Sequence, residues 1–185
     1  MAEDNFIQSV QDATKDAPKS IGWYREKIRE FGKPAPLDLI RDGRRTAKMS
    51  AFNLNMFVYD PKYKKTLPYY DTFPLVLPLE RYNDGFLGLN FHYLPIPLRI
   101  RLLDKINTIP EDNQYNDGEQ LRINYARART IPMAKAVIKR YLYGHLKSQI
   151  RVVTPDEWVI AVLLPVQRFK KASTSKVYNE TKKMF

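Results

Sequence analysis

A stretch of alternating apolar residues, interrupted by prolines and glycines, is the feature that most constrains how this chain folds. Residues 52–59, 73–79 and 86–93 each alternate apolar side chains with a period of two, which is the period of a β-strand. The middle run contains Pro74 and Pro78, which have no amide donor. We therefore expect it to be an edge strand or extended chain.

The segment Asn83-Asp84-Gly85 is a strong turn signal between the second and third of these runs. Three short strands with a long first loop and a tight second turn describe a meander. We therefore predict a small antiparallel β-meander or partial barrel over about residues 52–94, with three or four strands.

The second half of the chain has the apolar spacing of helices. We predict helices over about residues 95–106, 120–129, 132–147 and 154–164. The third would bury His145 in its apolar stripe, and the fourth would begin with a capping box at Thr154-Pro155-Asp156-Glu157. The predicted fold class is therefore α+β, with the sheet early in the chain and a helical C-terminal half.

The prolines and the charge pattern divide the chain into three parts. Residues 1–50 are predicted to be an N-terminal helical arm, with a helix over 18–32, followed by a basic connector. Residues 51–167 are predicted to be a single α+β domain, and residues 168–185 a basic C-terminal tail. We expect both terminal segments to be arms that become ordered only in an assembly.

The positive charge of the chain is concentrated in its C-terminal half. The net charge is +11 over 185 residues, and the stretch between Gln120 and Pro155 has no Asp or Glu. That stretch carries +8, and residues 168–185 carry +5. Such segregation favours a polyanionic partner. The candidates are nucleic acid, an anionic lipid surface and an acidic protein face. The alternative is a solvated basic surface on a structural protein.

The candidate contact residues for double-stranded DNA, or for another acidic partner, are cations of these two segments. They are Arg122, Arg127, Arg129, Lys135, Lys139, Arg140, Lys147, Arg151, Arg168, Lys170, Lys171 and Lys176. Phosphate contacts of this kind position a protein on DNA without reading its sequence. Tyrosines crowd the central region, and we expect them to serve packing or a protein interface, with base stacking as the alternative. The candidate interface tyrosines are Tyr63, Tyr69, Tyr70 and Tyr82.

Several functional classes find no support in the sequence. The chain has no cysteine, which excludes a disulfide scaffold, a thiolate nucleophile and a cysteine-based zinc site. It has no glycine-rich phosphate loop, and His92 and His145 are not in ligand spacing. We therefore predict no cofactor, no metal site and no enzymatic activity; a metal-dependent nuclease using Asp71 or Glu80 is the weak catalytic alternative. No apolar run reaches the roughly 18–20 residues of a membrane span, so we expect no membrane partner.

Four segments of the chain carry a family resemblance. The central run is FVYDPKYKKTLPYYDTFPLVLPLERYNDGFLGLNFHYLP, and the later segments are KRYLYGHLKS, TPDEWVIAVLLP and RFKKASTSKVYNETKKMF. Together they resemble a structural protein of T-even-type contractile-tailed phages and their cyanophage relatives. The resemblance covers roughly residues 50–185 and includes no catalytic motif.

The resemblance implies a virion protein of the head–neck–tail assembly that is assembled in the host cytoplasm. It further implies a DNA end protector, a head or neck protein that binds the ends of packaged DNA. The implied partners are other phage structural subunits, arranged in a symmetric ring or multi-subunit assembly. The alternative is a baseplate or tail adaptor that binds only protein subunits. The position of the protein in the particle distinguishes the two.

Overall fold

The computed structural model describes residues 5–14, 19–106 and 115–185. The α-helices, in chain order, are α1 Phe6–Asp12, α2 Ile21–Phe31, α3 Pro36–Arg41, α4 Ile96–Ile106, α5 Asp117–Thr130, α6 Pro132–Ala136, α7 Trp158–Leu163 and α8 Thr174–Lys182. The strands are β1 Arg45–Thr46, β2 Leu54–Met56, β3 Tyr70–Asp71, β4 Leu75–Tyr82, β5 Gly85–Asn90, β6 Ile138–Leu142, β7 Ile150–Val153 and β8 Phe169–Lys170. None of the helices in these ranges combines the length and the hydropathy that a membrane span requires.

Six strands form one antiparallel sheet in the order β1-β7-β2-β4-β5-β6. The neighbours β2, β4 and β5 follow one another in the order expected of the meander, and a tight turn places Gly85 opposite Tyr82. The sheet does not close into a barrel, and the mixed α+β class is confirmed. The strands β3 and β8 pair separately in a small two-stranded sheet.

The prediction that residues 73–79 form an edge strand is wrong, because β4 lies between β2 and β5. The missing proline amides are nevertheless accommodated. Strand β2 pairs only with Leu75 and Val76, so Pro78 lies beyond its end. On the β5 side the register shifts between Pro78 and Glu80, as at a β-bulge. The carbonyl of Pro78 accepts a hydrogen bond from Asn124 of α5.

The helix predicted over 132–147 is also wrong. Helix α6 ends at Ala136, and the chain continues as β6, which pairs along β5. The apolar spacing of this segment fits either structure, but the free side of β5 offers a complete set of backbone hydrogen bonds. His145 therefore lies not in a buried helix stripe but in a 3-10 turn after β6, half-buried, with Nδ1 3.0 Å from the carbonyl oxygen of Asp60.

The remaining predicted helices are confirmed. Helix α2 begins after the Ser20 cap and ends at Gly32, whose φ of 88° favours glycine. Helix α4 ends at Ile106 as expected, and α5 begins a little earlier than expected, at the Asn116 capping box. The capping box at Thr154 opens a short 3-10 turn that leads into α7.

The sheet separates two clusters of buried apolar side chains. Leu75 and Leu77 of β4 point into the larger cluster, which the helices α1, α4 and α7 complete. Val76, on the other face, belongs to a smaller cluster with Phe86 and Tyr141. Successive side chains of a strand point to opposite faces of the sheet, so a strand that is apolar throughout is buried on both faces when both are covered.

The terminal segments differ from the expectation that they are arms. Ile7 and Val10 of α1 are fully buried, and so is Val177 of α8. All three side chains belong to the larger apolar cluster. Both segments therefore contribute to the core of the folded chain, because their helices are amphipathic and their apolar faces find a partner. The domain boundaries at residues 50 and 167 stay a prediction.

Candidate nucleic-acid interface

A cavity of about 640 Å³ lies between the loop of residues 60–70 and the outer strand β6. Its lining includes the cations Lys62, Lys139 and Arg140, and Met184 near the C-terminus. Six tyrosines also line it: Tyr59, Tyr63, Tyr69, Tyr70, Tyr93 and Tyr141. We call this site the tyrosine cavity. Aromatic rings and cations in one concave site are the combination with which proteins bind single-stranded nucleic acid.

The inner wall of the tyrosine cavity is one face of β6. Lys139 and Tyr141 alternate on this face, opposite Gly88 and Phe86 of β5. The Tyr141 ring packs edge-on against the Tyr59 ring, with 5.0 Å between the ring centroids. Because Tyr141 belongs to the smaller apolar cluster, the core of the protein holds this wall in place.

The outer wall is a loop that the C-terminal segment fixes. Strand β8 places Lys170 opposite Tyr70 of β3. The next residue, Lys171, has a left-handed backbone with φ of 71°, and its ammonium group reaches back to the loop. It donates hydrogen bonds of 2.6 to 3.2 Å to the carbonyl oxygens of Lys64, Lys65 and Leu67. The loop conformation therefore depends on a side chain more than 100 residues away in the sequence.

Lys139 is the cation that the cavity holds most deeply. Its Nζ lies 4.3 Å from the centroid of the Tyr93 ring, in the geometry of a cation–π contact. Burial lowers the pKa of Lys139 below its ordinary value. Among the residues that the structure describes, no carboxylate pairs with this ammonium group. The two carboxylates that line the cavity, Asp71 and Asp84, have other partners, so the Lys139 ammonium group forms no direct ion pair there.

The Arg140 guanidinium lies at the rim of the cavity, not in its interior. Its guanidinium forms an ion pair with Asp84 and donates a hydrogen bond of 2.8 Å to the carbonyl oxygen of Tyr141. The same group lies over the Tyr82 ring, 4.1 Å from its centroid. Tyr82, one of the candidate interface tyrosines, is therefore a stacking platform for Arg140 and remains 37% exposed.

Asp71 forms the floor of the cavity and is buried. Its carboxylate lies 3.1 Å from Nδ1 of His92 and accepts hydrogen bonds from the Asn90 amide and the Phe73 backbone. Burial works to raise the pKa of Asp71, but these hydrogen bonds, first of all that with His92, hold it below its ordinary value. All of its acceptor capacity is used within the fold, so Asp71 is a structural carboxylate.

A second basic groove, of about 480 Å³, lies between α5 and the end of β4. Arg122, Tyr125 and Arg129 line it from the helix, and Arg81 lines it from the strand. Arg122 and Arg129 are exposed, and Arg81 forms an ion pair of 3.0 Å with Asp117. The groove thus brings together two cations of the acid-free stretch with an exposed aromatic ring.

The other candidate cations are distributed around these two sites. Lys147 is exposed and lies near Asp60, beside the tyrosine cavity. Arg168 precedes β8 and Lys170 lies in it, and both are exposed, whereas Arg127 is half-buried. Two more exposed cations, Lys135 of α6 and Lys176 of α8, lie on helices that pack against each other.

Arg151 is the exception, because the structure places it in the core. Its side chain is 1% exposed. The guanidinium donates hydrogen bonds of 2.9 Å to the Glu157 carboxylate and 2.7 Å to the carbonyl oxygen of Leu39. A partner cannot reach this charge, and we remove Arg151 from the candidate contact residues.

Sequence reasoning missed several of the residues that line the tyrosine cavity, among them Tyr141 and Lys62. Tyr141 was expected inside a helix, so its place on the cavity wall was hidden. Lys62 lies outside the two basic segments from which the candidate cations were taken. A strand interpretation of residues 138–142 would have put Lys139 and Tyr141 on one face, which was the available signal.

Fold and sites together define an α+β protein with two basic, aromatic-lined concave surfaces. The model of the phage T4 terminal DNA protecting protein family matches residues 3–184, and the chain belongs to this family. Comparison with curated proteins and with solved structures finds no match.

Membership confirms the resemblance to T-even-type phage proteins. The family is one of structural virion proteins of bacteriophages that protect DNA ends.

Proposed function

We propose that this chain binds the ends of packaged double-stranded DNA in the head–neck–tail assembly through the tyrosine cavity and the second basic groove, beside α5. The observation that carries the proposal is the grouping of cations from distant segments at these sites. Lys62, Lys139 and Arg140 line one cavity, which the pairing of β3 with β8 and of β5 with β6 assembles.

The charge arrangement fits a polyanion better than it fits isolated solvated side chains. The stretch 120–155 contains no acid that could compensate its cations internally, and the Lys139 ammonium lacks a carboxylate partner among the described residues. Each DNA phosphate that a Lys or Arg neutralises releases condensed counterions, which supplies free energy that falls with added salt. A surface of this kind binds DNA without reading its sequence, as an end protector requires.

The test is a salt titration of binding to a short linear duplex, followed by fluorescence anisotropy. The logarithm of the association constant should fall linearly with the logarithm of salt concentration, with a slope of about −0.9 for each neutralised phosphate. The double variant Arg122→Gln/Arg129→Gln should reduce the magnitude of this slope by about 2.

The matched control is Arg25→Gln/Arg29→Gln, which also removes two exposed helical arginines but lies on α2, away from both basic sites. This control should leave the slope unchanged. Absence of binding to linear duplex at about 50 mM salt, or equal slopes in both double variants, would contradict the proposal.

A second candidate function, an adaptor that binds only protein subunits of the baseplate or tail, is favoured by one observation. The helices α2 and α3 expose large apolar side chains, with Phe31 46% and Leu37 61% exposed. Where such side chains form one contiguous patch, they mark a protein-binding surface. Locating the protein by cryo-electron microscopy of intact particles decides between the neck and the baseplate, and it also shows whether the subunits form a ring.

A further inference from the structure

We infer that the tyrosine cavity receives one unpaired nucleotide from the terminus of the DNA, with its phosphate at the Lys139 ammonium group. The inference rests on the proposed function and extends it by naming the part of the DNA that is bound. It explains how a protein with a sequence-independent basic surface distinguishes an end from the interior of a duplex.

The first argument for this inference is the size of the cavity. A volume of about 640 Å³ lies in the range of about 300–1,000 Å³ that proteins use for small organic ligands. A base inside a duplex is stacked on both faces and paired, so that it must be extruded before it enters such a site. Extrusion costs least for a base that is already single-stranded. A cavity of this size therefore favours unpaired terminal nucleotides.

The second argument is that tyrosine rings line the cavity. Tyr63 is 62% exposed at the mouth of the cavity, and Tyr69 and Tyr70 are half-buried beside it. Stacking on such rings tolerates any base, because every base has an aromatic face. Lys62, which also lines the cavity, is exposed and can contact a polar ligand there.

The third argument is the positive charge of Lys139 within the cavity. Lys139 contacts the Tyr93 ring and has no carboxylate partner among the described residues. Lys139 is half-buried, and the two carboxylates that line the cavity, Asp71 and Asp84, pair with His92 and Arg140. A bound phosphate would give the ammonium group a direct ionic partner, whereas an uncharged ligand would not.

The cavity is also prepared for a ligand before the ligand binds. The three hydrogen bonds that Lys171 donates hold the outer loop, and the core holds the β6 wall. A preorganised site loses little conformational entropy on binding. The structure therefore supplies stacking rings, a phosphate-binding cation and a fixed shape in one place.

The experiment compares hairpin duplexes with the same stem that differ only at the open end. One has a short single-stranded 3′ tail, one a 5′ tail, one a blunt end, and one is a dumbbell closed by a second loop. Tailed DNA should bind about tenfold more tightly than the dumbbell. A 2-aminopurine at the tail terminus should lose fluorescence on binding, because its ring stacks on tyrosine.

Two cavity variants and one control complete the test. Tyr63→Ala and Lys139→Gln should each remove the preference for tails and the 2-aminopurine signal, so that tailed and dumbbell DNA bind with equal affinity. Tyr115→Ala removes a tyrosine that is 39% exposed outside the cavity and should retain both. Far-ultraviolet circular dichroism verifies folding, and Tyr63 is exposed enough for its replacement to leave the fold intact.

The outcomes separate the two proposals. Equal affinity for all four DNAs, or an unchanged tail preference in both cavity variants, overturns the terminal-nucleotide inference but leaves DNA binding in place. Failure to bind any of the DNAs overturns the proposed function itself. If free thymidine monophosphate displaces the tail at the same concentration as a competing tailed hairpin, the cavity is a site for free nucleotides, and the inference is wrong.

Discussion

The Arg99 guanidinium donates a hydrogen bond of 2.9 Å to the Tyr178 hydroxyl group, and this contact joins α4 to the C-terminal helix α8. Arg99 is fully buried. Its other hydrogen bonds go mainly to backbone carbonyl oxygens, among them Leu94 at 2.7 Å and Leu164 at 3.1 Å. A buried guanidinium surrounded by carbonyl dipoles can stabilise a fold only while its donors stay satisfied. The helix α8 is therefore part of the structure that places Met184 at the tyrosine cavity.

Replacing Tyr178 with Phe should lower the free energy of unfolding by about 1.5 kcal/mol, because a hydrogen bond to a buried charge is lost. The measurement is urea denaturation followed by circular dichroism. Tyr63→Phe, which removes a hydroxyl group from an exposed ring, should change stability little. Equal losses in the two variants would show that the Arg99 contact does not hold α8.

The second prediction concerns pH and uses the buried pair of His92 and Asp71. Burial lowers the pKa of His92, and the hydrogen bond with Asp71 only partly opposes this effect. His92 thus stays neutral in the folded chain at pH values where the unfolded chain, with an ordinary pKa of about 6.5, binds a proton. Stability should therefore fall as pH decreases from about 7 to about 5, by up to about 1.4 kcal/mol per pH unit.

Asp71 does not disturb this measurement. Its pKa is depressed in the folded chain, so the stability that it contributes is present above the ordinary pKa of about 4 and is lost only at lower pH. The variant His92→Gln should flatten the curve of unfolding free energy between about pH 7 and 5. His145→Gln alters the only other histidine of the chain and should retain the slope. A flat curve in the unmodified protein would disprove the assignment.

The third prediction tests the β5–β6 contact that forms the cavity wall. A Cβ atom at Gly85 would collide with the carbonyl oxygen of Tyr141, which is a backbone atom and cannot move without disturbing the strand pairing. Gly85→Ala should therefore destabilise the fold by about 1–3 kcal/mol. Gly144→Ala is the matched control, because its Cβ would meet no atom within 4 Å. In thermal unfolding, Gly85→Ala should have a clearly lower melting temperature than Gly144→Ala. Equal melting temperatures would argue against the observed register.

The fourth prediction distinguishes structural from interface arginines. Arg151→Gln removes one partner of a buried ion pair and should cost about 3 kcal/mol of stability or more. Arg129→Gln removes an exposed charge and should change stability by less than about 0.5 kcal/mol while weakening DNA binding. Denaturation and anisotropy titrations on both variants test the contrast.

If Arg151→Gln is too unstable to purify, Glu157→Gln examines the same ion pair. A stable Arg151→Gln variant with weakened DNA binding would return Arg151 to the interface.

Much of the first half of the fold follows from local patterns in the sequence. The alternation in residues 52–59 and 86–93 and the turn at Asn83-Asp84-Gly85 predict the β2–β4–β5 meander, because side-chain period and turn chemistry act over a few residues. The helix α2 is likewise predicted by its cap and its terminal Gly32. The regional excess of positive charge predicts a basic surface, although not which cations reach it.

The sequence by itself thus determined the α+β class, the meander, most helices and the segregation of charge. Only the tertiary structure decided that residues 138–142 form a strand, because their apolar spacing fits a helix stripe as well and the free side of β5 settles the choice. It also decided that Arg151 is buried against Glu157. The tyrosine cavity depends on pairings between segments up to 100 residues apart. Local periodicity cannot encode such pairings, since they are stabilised by long-range backbone hydrogen bonds and shared burial.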